Sequence, residues 1–162
     1  MATEKQKKAA AQVFDTVIRH LDGNGLKYEV REAQGDDLMI HLTMRGDDLP
    51  ISLYIIVDAD RELLMIKSPE FSNFGEEQIS DAAKAVCAIN YAIADGSYAL
   101  DVEDGSIMWT ITATFRGSLL GDEAIHYLIG VSVTTLDRFN DMFLMLKMGA
   151  LDLDTFLAKI RN

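Results

Sequence analysis

The amino-acid sequence predicts an α+β domain whose helices pack on a largely antiparallel sheet. Three observations carry that expectation. Short segments of alternating apolar and polar residues follow one another across acidic, glycine-containing turns, which is the pattern of hairpins. Segments of helical periodicity separate these groups of strands, giving the order α-ββββ-α-ββ-α-α. The 162 residues, 49% of them apolar, suffice for one core, and a globule of this size buries roughly 70% of the surface of its unfolded chain.

The first helix is read from Ala10, Val13, Phe14, Val17, Ile18 and Leu21, spaced for one helical face, with Asp22-Gly23 as a stop. Leu26, Tyr28 and Val30 then alternate with Lys27, Glu29 and Arg31. Leu38, Ile40, Leu42 and Met44 alternate with Met39, His41, Thr43 and Arg45. Ile51 to Val57 and Leu63 to Ile66 complete a four-strand meander. Its turns are Gln34 to Asp37, Arg45 to Asp48 and Asp58 to Arg61, all rich in turn formers. Glu76 to Asp95 is expected as a second helix with Ile79, Ala82, Ala83, Val86, Ile89 and Ile93 inward and Gly96 just past its end.

A further hairpin places Tyr98, Leu100 and Val102 against Ile107, Trp109, Ile111, Ala113 and Phe115 across Glu103-Asp104-Gly105. Asp122 is the expected cap of a long third helix running to about Met148, a span of about 40 Å. Leu153, Phe156, Leu157 and Ile160 mark a short last helix. The whole reads as a single domain over residues 1–162. Lys5, Lys7 and Lys8 form its one basic cluster, and residues 1–8 are read as a solvated, frayed tail.

Two stretches carry more apolar surface than a one-sided sheet requires. Leu53 to Val57 and Leu63 to Ile66 are apolar on both faces, so either the long helix or another protein chain must cover the second face. In the third helix Ile125, Ile129, Ser132, Leu136, Phe139, Phe143 and Leu146 form a heptad-like seam, explained by packing along a sheet. Met142, Met145 and Met148 widen it near its end with a residue type that adaptable binding grooves favour. A partner or dimer surface is therefore expected at Tyr54, Ile56, Leu64 and Ile66, together with Phe139, Met142, Phe143 and Met145.

Charge and motifs narrow the function classes. Fifteen basic against twenty-six acidic residues give a net charge of −11, a surface that repels phosphate backbones. No apolar run approaches the roughly 18 residues of a membrane span, and the polar N-terminus does not resemble a signal peptide. The single cysteine, Cys87, suits a reducing, cytoplasmic setting and is expected as a buried, inert thiol. His20, His41 and His126 fall on three elements with no ligand spacing and are expected to be exposed.

Asp58-x-Asp60 and Asp152-x-Asp154 do not continue into a calcium loop, and a hairpin turn and a helix cap explain them. Arg45-Gly46-Asp47 is a turn, and no phosphate-cradling glycine motif is present. The expectation is a non-enzyme with no catalytic, cofactor-binding or metal-binding residues.

The run Ala88 to Tyr91 leading into Gly96 to Ile107 resembles the YbjN family, in which a helix carrying an asparagine precedes a strand, an acidic glycine turn and a second strand. Leu119 to Leu146, with Asp137 to Phe139 at its core, is similar to that family's closing helix, and the likeness spans about residues 12 to 147. The resemblance implies a fold like that of the type III secretion chaperones, small acidic proteins that are often dimeric and bind extended client segments. YbjN proteins are described as bacterial sensory-transduction regulators, and the family offers no catalytic residues to carry over. A longer third helix and an extra C-terminal helix depart from the secretion chaperones.

The resulting expectation is a regulatory or chaperone-like module that binds protein, either a partner or itself as a homodimer, with no nucleic acid or membrane. The alternative is a small-molecule sensor with an apolar pocket between the sheet and the third helix.

Overall fold

Thr3 starts the first helix. Its hydroxyl accepts the Gln6 amide at 3.3 Å while the Gln6 side chain accepts the Thr3 amide at 2.8 Å, a reciprocal cap that satisfies two otherwise unpaired donors. Lys7 is tied to Asp36 at 2.9 Å and the terminal ammonium to Asp60 at 3.2 Å. Residues 4–8 are therefore the opening turns of a helix and not the frayed tail that their composition suggests.

The computed structural model describes residues 1–69 and 73–161. Along the chain run α1 (Glu4–Gly23), β1 (Tyr28–Arg31), β2 (Leu38–Arg45), β3 (Pro50–Asp58) and β4 (Leu63–Ser68). A 3-10 turn (Glu76–Gln78) leads into α2 (Ile79–Ala92), followed by β5 (Ser97–Leu100), β6 (Ile107–Thr114), α3 (Asp122–Lys147) and α4 (Leu153–Arg161). This is the predicted order, in an α+β fold with a wholly antiparallel six-stranded sheet ordered β1-β2-β3-β4-β6-β5.

One face of the sheet is the floor of the core. Ile40 stands opposite Ile55, Leu42 opposite Leu53, Ile55 opposite Ile66, and Ile66 opposite Ile111. Val13, Val17 and Leu21 of α1 close over this floor, as do all seven seam positions of α3. Each large aliphatic or aromatic side chain so buried contributes roughly 1.5–3 kcal/mol. Ser132, the polar member of the seam, is satisfied by donating to the Leu128 carbonyl at 2.8 Å.

Two helix details differ from expectation. Ile93 is extended (φ −96°, ψ 150°), so α2 stops at Ala92 and not at Asp95. Because α2 meets both β5 and α4, its buried stripe is Ala82, Ala85, Val86 and Ile89, and Ala83 faces solvent. At the start of α3, Gly121 and not Asp122 holds the capping position, with no side chain to bond, and the Asp122 carboxylate lies 2.8 Å from the His20 Nδ1.

Candidate functional site: the open face of the sheet

Strand register decides what the second face presents. Residues paired across an antiparallel sheet share a face, so the pairings can be followed from strand to strand. One row runs Arg31, Met39, Ile56, Met65, Thr112. The next runs Glu29, His41, Tyr54, Lys67, Thr110, Ser97. The centre of this face is thus Met39, Tyr54, Ile56 and Met65, with charged side chains at its margin.

These four side chains stand outside the continuous core, because the helices gather on the opposite face. The long helix α3 covers the inner face, and among the described residues no helix covers the second one. Neighbouring side chains shield the patch only in part. The Arg61 guanidinium reaches the Met65 sulfur at 3.8 Å, leaving Met65 8% exposed, while Met39, Tyr54 and Ile56 are half-buried.

Hydrogen bonds order the polar margin. The His41 Nε2 lies 2.9 Å from the Ser52 hydroxyl, and its ring rests on Tyr54 with centroids 4.7 Å apart. Asp58, at the end of β3, accepts the Arg61 amide at 2.8 Å and its Nε at 2.5 Å. Burial pushes the Asp58 carboxyl up, but the Arg61 amide and guanidinium outweigh it and hold the carboxyl below its ordinary value. Arg31 is paired with Glu29. Arg45 and Lys67 have no ion-pair partner among the described residues.

The eight residues expected at a partner surface separate. Tyr54 and Ile56 meet on the open face. Leu64 (1% exposed) and Ile66 (0%) point the other way, because the β3–β4 register pairs them with the inward Val57 and Ile55. Phe139 (1%) and Phe143 (0%) are core aromatics, Phe143 lying 5.2 Å from Tyr98 and 5.5 Å from Phe156. Met142 packs against the core from its margin, and Met145 is exposed on α3, a helix of the covered face. Leu64, Ile66, Phe139 and Phe143 are therefore interior and present no surface to a partner.

Met39, His41, Met65 and Lys67 also lie on the open face, beyond the residues that the sequence marks as a partner surface. The β3–β4 register puts Met65 opposite Ile56 and Lys67 opposite Tyr54, and alternation within each strand does not give that register.

Other expected features move as well. His20 is buried, not exposed, because it bridges the end of α1 to Asp122 and stacks edge-on to the exposed His126 at 5.4 Å. Cys87 is exposed, not buried, since the inward stripe of α2 is rotated away from it. Among the described residues, no three His, Cys, Asp or Glu side chains converge to hold a metal ion, and no helix is long and apolar enough to cross a membrane. Where the sheet meets α3, a notch of about 210 Å³ opens between Pro50, Ser68, Leu136 and Asn140. That is smaller than the 300 Å³ or more typical of ligand pockets.

Comparison with known proteins identifies the family and the fold. The family described as "YbjN: Putative bacterial sensory transduction regulator" matches residues 14–145. The chain belongs to the YbjN family. Two solved structures share its fold. The crystal structure of YbjN from E. coli, described as a putative transcription regulator, superposes with a TM-score of 0.56 at 15% identity, covering 77% of this chain and 86% of that one. The crystal structure of the ExsC–ExsE complex gives a TM-score of 0.52 at 14% identity, covering 80% and 91%. No curated protein matches the sequence. The YbjN resemblance and the secretion chaperone-like fold read from the sequence hold, and α4 lies beyond the residues that the family matches.

Proposed function

We propose that this chain is a non-catalytic, cytoplasmic regulatory or chaperone-like module that binds an extended segment of another protein on the open face of its sheet. The observation that supports the reading is the half-buried patch of Met39, Ile56 and Tyr54, over which no helix lies among the described residues. Methionine adapts to varied apolar partners, and tyrosine offers an apolar body with a polar tip. Arg45 and Lys67, which have no ion pair among the described residues, favour acidic residues between the partner's apolar ones. A fold-alike known in a two-protein complex, ExsC–ExsE, supports the same direction.

The test uses purified protein and fluorescent peptides of alternating apolar and acidic residues, compared with peptides in which lysine replaces each acid. Anisotropy should report binding of the acidic set, weakened by Lys67→Glu and abolished by Ile56→Asp with the fold intact by circular dichroism. Equal binding by the wild type and Ile56→Asp would reject the open face as the site. Light scattering that shows a dimer dissociated by Ile56→Asp would assign the face to a second copy of the chain instead.

A further inference from the structure

A second apolar surface lies on the helical side, remote in role from the sheet face. Lys84, Cys87, Ala88, Tyr91 and Ala92 follow one another at helical spacing along a single face of α2. Leu157, Ile160 and Arg161 do the same on α4. Where α4 lies beside α2, these two stripes bound a groove of about 620 Å³. That volume falls within the roughly 300–1,000 Å³ of small-molecule sites. Tyr91 is 94% exposed over it, and Phe156 anchors α4 in the core beneath.

The composition of the lining is one-sided. Its apolar members are interrupted by two charges, Lys84 and Arg161, both positive, in a chain of fifteen basic and twenty-six acidic residues. Lys84 touches Asp81 at 3.5 Å, a loose exposed contact worth little, and Arg161 has no ion pair among the described residues. We infer that the α2–α4 groove binds a single-chain amphipathic anion, an alkyl chain with a carboxylate head of the long-chain fatty acid type. The chain lies along Cys87, Ala88, Leu157 and Ile160, and the head meets Lys84 and Arg161. The stripe from Lys84 to Ala92 rises about 12 Å, a length along which one alkyl chain can lie.

The groove contains its own reporter, because Cys87 is the only cysteine and is exposed in the lining. The rate of Cys87 modification by a water-soluble maleimide is measured with and without laurate, below its micelle concentration. Laurate should protect Cys87 in proportion to occupancy, and dodecyltrimethylammonium, of equal chain length and opposite charge, should not. Lys84→Gln and Arg161→Gln, both at solvent-exposed positions that leave the fold unchanged, should each weaken protection by laurate about fivefold. No protection by laurate, or equal protection by the cationic amphiphile, would overturn the inference. So would protection by an acidic amphipathic peptide alone, which would assign the groove to a protein helix.

Discussion

Asn90 makes hydrogen bonds to both backbone polar groups of Tyr98. Its Oδ1 accepts the Tyr98 amide at 2.8 Å, and its Nδ2 donates to the Tyr98 carbonyl at 2.9 Å. A side chain of α2 thus occupies the place that a neighbouring strand would take beside β5, the last strand of the sheet. The unpaired backbone of an edge strand invites pairing with other chains, and Asn90 closes it at this residue. The asparagine noted in the family-like run accordingly has a backbone-holding role.

Asn90→Ala removes both side-chain hydrogen bonds to the Tyr98 backbone and should lower stability by about 1–3 kcal/mol. Asn90→Asp should fail similarly, because a carboxylate accepts from the Tyr98 amide but cannot donate to its carbonyl. Urea unfolding should show both as a lower midpoint with an unchanged slope.

Gly96 joins α2 to β5 at φ +73°, and a Cβ there would sit 2.3 Å from the Trp109 ring. Gly25 is also left-handed, at φ +65°, but a Cβ would meet nothing within 4 Å. Gly25→Ala should therefore cost only the backbone penalty, about 1–2 kcal/mol. Gly96→Ala should cost clearly more, since the buried indole must also move. Thermal melts of the two variants test the ranking.

The lowered Asp58 carboxyl predicts a pH dependence. Its folded value lies below the ordinary one, so the unfolded chain takes up the proton first. The stabilisation is complete above about pH 4 and is lost as the pH falls further, through the folded value. Asp58→Asn should cost about 1 kcal/mol at neutral pH, because the partner Arg61 is largely exposed. The gap between variant and wild type should close on acidification, as followed by urea titrations across that range.

Ile56 and Ile66 test the two faces directly. Ile66→Asp places a carboxylate in the core at a position 0% exposed and should unfold the protein. Ile56→Asp stands half-buried at the open face and should shift stability by about 1 kcal/mol or less. Circular dichroism of the pair would refute the face assignment if both unfolded.

Much of this architecture is legible in the spacing of apolar residues. All seven seam positions of α3 are buried, because a long helix lying along a sheet must keep one stripe inward. The candidate surface was legible only in half. Alternation identifies two faces in each strand but does not say which faces of adjacent strands coincide. Here the β3–β4 turn decides: Asp58 pairs with Leu63, and Glu62 takes a left-handed conformation at φ 56° that no glycine announces. That register puts Met65 beside Ile56 and turns Leu64 and Ile66 inward. His20 and Cys87 went astray for a related reason. The partner of His20 lies 102 residues away, and the exposure of Cys87 depends on how α2 is rotated against β5 and α4.

The sheet order has a kinetic consequence. From β1 to β4 every strand pairs with its neighbour in sequence, so that meander closes only short loops. The β4–β6 junction is different, since α2 and β5 intervene before Ile111 can meet Ile66. It is the one ladder in the sheet whose formation requires a long closure, and its end is fastened by Glu62, whose carbonyl accepts the Phe115 amide at 3.0 Å. Amide exchange should therefore divide the molecule along this line into an early-forming meander and a later-docking hairpin, with the β4–β6 ladder marking the transition between them.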